Sequence, residues 1–100
     1  MNMILTTVSQ EKQRIEYMLA QYREEYDRLP KGSISQTTKG CKAYYYLKYR
    51  DGKKIISQYV SKDHIDELRS KIDKRKHIEA MIKSLQDELS IANRILEEKQ

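Results

Sequence analysis

KAYYYLKYRDGKK, residues 42–54, is the stretch that decides the fold. It sets four tyrosines and five basic residues around one acid, in a chain with no tryptophan and no phenylalanine. Asp51-Gly52 is a strong hairpin signal, since both central residues of a type I′ turn need positive φ. Ala43–Arg50 before it reads as a tyrosine-rich strand, and Lys53–Val60 returns as the next. A polar, weaker strand, Ser33–Thr38, comes first, and the chain turns at Lys39-Gly40 or Gly40-Cys41. Together they predict a three-stranded antiparallel meander over residues 33–60.

Alternation along the middle strand puts Tyr45, Leu47 and Tyr49 on one face and Tyr44, Tyr46, Lys48 and Arg50 on the other. A two-residue loop at Asp51-Gly52 sets Leu47 opposite Ile56 and Ala43 opposite Val60, making the first face apolar. A three-residue loop sets Leu47 opposite Ile55 instead, so two registers stand open. A small isolated sheet is marginal in water and needs a face resting on something. Only helices are available.

Two helices flank the meander. Val8, Ile15, Leu19, Tyr22, Tyr26 and Leu29 step at heptad spacing, with Lys12 the one polar residue in the seam. This predicts a helix over 9–29, capped by Ser9 and ended by Leu29-Pro30. From Ser61, a second cap, the period is helical to the end and predicts a helix over 62–98, with Asp63 in its first turn. Ile65, Leu68 and Ile72 form one stripe. Ile78, Ile82, Leu85, Leu89, Ala92 and Leu96 form another, offset across Lys74-Arg75-Lys76-His77 as in a coiled-coil stutter. At 1.5 Å per residue the second helix is about 55 Å long and the first about 30 Å. The shortfall leaves Ile91, Ile95 and Leu96 open, and a homodimer or protein partner through Ile82, Leu85, Leu89, Ala92 and Leu96 would cover this end.

The 100 residues are read as one small α+β domain: N-terminal helix, meander, long C-terminal helix. Residues 31–62 carry eight basic side chains against Asp51 alone, more than the whole net charge of +5. The excess is therefore local to the meander. MNMILTTVSQ, residues 1–10, lacks a basic start and a long apolar run, and no apolar run nears the roughly 20 residues that span a bilayer, so neither a signal peptide nor a membrane partner is expected. A single cysteine, Cys41, fits a reducing, cytoplasmic compartment.

Catalytic chemistry finds little support. Asp63, His64, Asp66 and Glu67 read as a capped, solvated first turn, and His77 lies roughly 20 Å further along the same helix, too far to share a metal ion. No phosphate-binding glycine loop, nucleophile elbow or paired-carboxylate motif occurs. Cys41 stands beside Lys39 and Lys42, which favour a thiolate, but no base or partner acid accompanies it. The expectation is a protein that is not an enzyme and needs no cofactor or metal.

The LPKGSIS start at residues 29–35, the YYYL strand, Tyr49-Arg50 and the YVSK exit at 59–62 resemble a family of small bacterial proteins without assigned activity. More distantly, residues 32–68 resemble the arm-binding domain of tyrosine-type phage integrases, where a Gly-Ser-Ile start leads into a three-stranded sheet that lies in a DNA groove. That likeness implies DNA-facing roles for Tyr44, Tyr46, Lys48 and Arg50, with Lys53 and Lys54 on a basic turn. The chain departs from the integrases in its long leading helix, its extended second helix and its want of a catalytic domain.

The expected function is nucleic-acid binding, DNA above all, by a basic tyrosine-rich sheet formed by Lys42, Tyr44, Tyr46, Lys48, Arg50, Lys53 and Lys54. A regulatory or accessory role in a phage or mobile element would suit it. The alternative is an adaptor or inhibitor acting through its helical surface, with the sheet a structural cap and its lysines guarding the edges.

Overall fold

The computed structural model describes residues 3–98. Its elements are α1 (Met3–Arg28), β1 (Ser33–Lys39), β2 (Lys42–Asp51), β3 (Lys54–Val60) and α2 (Ile65–Glu98). This is the α+β arrangement of helix, three-stranded antiparallel sheet and long helix, with strand order β1-β2-β3. Two compact units make up the chain. One joins α1 to α2 from His77 onward; the other is Leu29–Lys76. The division falls inside Lys74–His77, where the apolar stripe of α2 breaks.

In the helical unit, Ile15, Leu19 and Leu85 form a buried cluster, with Met18, Tyr22, Ile82 and Leu89 packed against it. Ile78 and Ala92 are also buried. The first helix begins at Met3, not at Ser9, so Ser9 is not its cap. The reason is Leu5: it and Val8 are half-buried and extend the seam upstream in steps of three and four. At 26 residues, α1 is about 39 Å long. That added length covers α2 further than a helix from Ser9 could. Exposed ion pairs, Glu11 with Arg14 and Glu24 with Arg28, line its surface. The Arg14 guanidinium, hydrogen-bonded to Glu11, lowers that carboxyl's pKa, and the glutamate in turn raises that of Arg14.

In the other unit both hairpins turn on two residues. Lys39 pairs with Lys42 around Gly40-Cys41, and Asp51 pairs with Lys54 around Gly52-Lys53. Gly40 and Gly52 each have φ of +63°, while no described non-glycine residue has positive φ. A left-handed glycine first and an ordinary residue second is the pattern of a type II′ turn. The hairpin therefore turns one residue later than Asp51-Gly52. Neither anticipated register holds: Leu47 faces Gln58, Tyr49 faces Ile56 and Tyr45 faces Val60. Relative to the two-residue reading each pair has slipped by two, and an even slip keeps every side chain on its face.

Leu47 is the buried strand residue, and Ile65 and Ile72 on the proximal part of α2 are buried with it in this unit. Arg69 lies 5.3 Å from the Tyr45 ring centre, Lys31 lies 6.0 Å from that of Tyr49, and Gln58 donates a hydrogen bond to the Tyr49 hydroxyl. These contacts place the Tyr45–Leu47–Tyr49 face inward. Arg75 donates to the carbonyl of Leu29 at 2.6 Å, anchoring the segment that leads into β1. The second helix starts at Ile65 rather than 62. The Ser61 carbonyl closes a turn onto the His64 N–H, and His64 accepts from Leu68, so Asp66 and Glu67, not Asp63, occupy the first helical turn.

Gly32, just before β1, has φ of +119°, and a Cβ there would lie 2.4 Å from the Lys48 carbonyl oxygen. Gly40 has left-handed backbone but open space. Gly40→Ala should therefore cost about 1 kcal/mol. Gly32→Ala adds a backbone clash and should cost about 2–4 kcal/mol. Urea unfolding of the two variants measures the difference.

Candidate nucleic-acid interface

Two tight turns and continuous pairing give the sheet an outer face whose membership follows from alternation. From β1 come Ser33, Ser35, Thr37 and Lys39; from β2, Lys42, Tyr44, Tyr46, Lys48 and Arg50; from β3, Ile55, Ser57 and Tyr59. No acid belongs to it. Asp51, the only carboxylate of the meander, is on the inward-facing set with Tyr49 and Lys54.

Five of the seven sequence-predicted residues thus share one face: Lys42, Tyr44, Tyr46, Lys48 and Arg50. Lys53 is the second residue of the β2–β3 turn, at the tip. Lys54 has the opposite parity and belongs with Asp51. Lys42, Lys48, Arg50, Lys53 and Lys54 are exposed, and no ion pair among the described residues holds any of them. Tyr44 and Tyr46 are half-buried. Tyr46 meets Tyr59 edge to face, with ring centres 5.9 Å apart at 69°. Lys39 and Tyr59 were missed by sequence reasoning. The face of Tyr59 follows from the two-residue loop, and its neighbour from the placing of that turn at Gly52-Lys53.

The electrostatics of this face run against stability. Lys39 and Lys42 stand directly opposite each other across the first hairpin, an arrangement that costs free energy when nothing neutralises it. Lys48 and Arg50 add further positive charge on the same surface. Hydroxyls of Ser33, Ser35, Thr37, Ser57 and the tyrosines supply uncharged donors between the cations. Cations with interspersed hydroxyl donors and an aromatic pair of which Tyr59 is exposed suit a phosphodiester chain and its bases.

Leu85 and Ala92 are buried within one chain, Ile82 and Leu89 pack on the α1 cluster, and Leu96 is half-buried. The length of α1 narrows the shortfall without closing it. Ile91 and Ile95 remain exposed.

No group of three or more metal-ligating side chains occurs among the described residues. Cys41 is exposed in its turn. A groove of about 370 Å³ runs between β1 and α2, lined by Ile34, Gln36, Arg69, Ile72, Asp73 and Lys76 among others. No described helix is long and apolar enough to cross a membrane.

A family model described as a domain of unknown function, DUF6788, matches residues 7–70. The chain belongs to that family, whose match takes in most of α1, the sheet and the start of α2. This agrees with the likeness to a family without assigned activity. No curated protein and no solved structure matches the chain, and no comparison supports the likeness to integrase arm-binding domains.

The two faces should respond differently to truncation. Leu47→Ala opens a cavity in the inward face and should cost about 2–5 kcal/mol. Tyr59→Ala removes an exposed ring pair and should cost about 0.5–1 kcal/mol. Chemical denaturation of both variants, followed by circular dichroism, checks the assignment.

Proposed function

We propose that this chain is a non-enzymatic nucleic-acid-binding module, which lays the outer face of its sheet against the phosphate backbone of DNA. One observation carries the reading: an acid-free sheet face holding Lys39, Lys42, Lys48 and Arg50, two of them directly opposed, with no ion pair to any of them among the described residues. Charge placed at such a cost needs a polyanion to repay it. A small sheet or β-ribbon can enter the major groove, where base edges are readable. The likeness to integrase arm-binding domains points the same way for Tyr44, Tyr46, Lys48 and Arg50, and favours a regulatory or accessory task on mobile DNA.

A second reading has its own support. Exposed Ile91 and Ile95 lie one turn apart on α2, and Met3, Ile4 and Tyr17 are exposed on α1. An adaptor that binds a protein through this apolar helical surface would use the sheet only as scaffold.

Fluorescence anisotropy with labelled duplex and single-stranded DNA separates the two. Binding at about 50 mM salt should weaken steeply as salt rises, with a log–log slope near −0.9 per phosphate neutralised. Lys48→Ala with Arg50→Ala should flatten that slope by about 2 while leaving helicity intact. Lys83→Ala with Arg94→Ala, removing the same charge from α2, should change it far less. No binding at low salt, or equal losses from both double variants, overturns the reading.

A further inference from the structure

β3 lies at the edge of the sheet and pairs with β2 alone. Its second edge can be read residue by residue. A two-residue turn closes on a hydrogen-bonded pair, here Asp51 with Lys54, and such pairs alternate along an antiparallel ladder. Lys54, Ile56, Gln58 and Val60 therefore direct their backbone groups toward β2. Ile55, Ser57 and Tyr59 direct theirs outward.

Exposed edges are normally guarded within the strand by lysine, proline or a bulge. None of these interrupts Ile55–Val60, and the pairing with β2 runs unbroken through seven positions. The lysines stand outside this run, at 53, 54 and 62. Ile55 and Tyr59 are 70% and 61% exposed, large apolar side chains flanking Ser57 on an open edge. The opposite edge differs: β1 is polar, and its outward residues Ile34 and Gln36 line the groove with α2.

We infer that the β3 edge is a self-association surface, where β3 of a second copy pairs antiparallel about a two-fold axis at Ser57. The occupant is a second copy because the strand is complementary to itself. Ser57 is the centre of Lys54–Val60. Rotation about it sets Ile55 opposite the partner's Tyr59, a β-branched residue against an aromatic one, and repeats the contact by symmetry. Lys54 meets the partner's Val60 and Lys53 the partner's Ser61, so no cation faces a cation. This register alone engages all three outward residues of both strands, giving about six new backbone hydrogen bonds. The product is a continuous six-stranded sheet with the Lys48 and Arg50 of both copies on one face. The inference uses the sheet rather than the helices and stands apart from nucleic-acid binding.

Two measurements test it without DNA. Ser57→Cys in a Cys41→Ser background should form a disulfide-linked dimer on mild oxidation, because the Cα atoms at position 57 of the two copies would lie within bridging range, about 5.5 Å apart. Thr37→Cys in the same background, on β1, should not. Sedimentation at about 200 µM, where micromolar dimers are populated, should show the native chain as a dimer and Ser57→Pro as a monomer. The proline removes only an outward N–H and leaves the β2 ladder whole. A monomeric native chain, or a dimer that the Ser57→Cys variant does not trap, overturns the proposal. Should the proline variant fail to fold, the cross-link decides alone.

Discussion

Burial of Leu47 organises the sheet. A strand has period two, so fixing one side chain inward fixes its neighbours in alternation. Tyr45 and Tyr49 follow Leu47 inward, where Arg69 and Lys31 meet their rings. Tyr44, Tyr46, Lys48 and Arg50 are turned outward by the same rule. The chemistry of the outer face is thus a by-product of packing on the inner one. Three tyrosines in a row would be ambiguous without a single aliphatic residue to break the tie.

What the alternation leaves open, the turns settle. Gly40 and Gly52 take left-handed backbone at the first central position of each hairpin, and a residue with a Cβ follows. A type I′ turn at Asp51-Gly52 would have put Asp51 in that region instead. The type II′ choice spares an aspartate the strain and uses the glycine for it. Each cross-strand pair moves by two residues as a result, bringing Tyr59 beside Tyr46 while leaving both faces intact.

The order and type of elements were legible because each segment has a strong period: 3.5 to 3.6 in the helices, 2 in the strands. Ends were less legible. Thr6-Thr7 hides Leu5, so the seam reads from Val8 and the helix looks shorter than it is. Ser61 is a good cap by composition, but its carbonyl closes a preceding turn and leaves capping to His64. Of the outer face, the β2 residues could be read from the sequence. Lys54 could not, because a two-residue and a three-residue loop place it on opposite faces.

α2 has a consequence for how the chain acquires its structure. It contributes Ile65 and Ile72 to one unit and Ile78, Leu85 and Ala92 to the other, with no proline or glycine between. Starting a helix is unfavourable by a factor on the order of 10⁻³, whereas extending one is nearly free. Whichever half of α2 forms first thus spares the other its nucleus. Lys74–His77, poor in apolar residues, then serves as the stretch through which ordering propagates from sheet to helical pair or back.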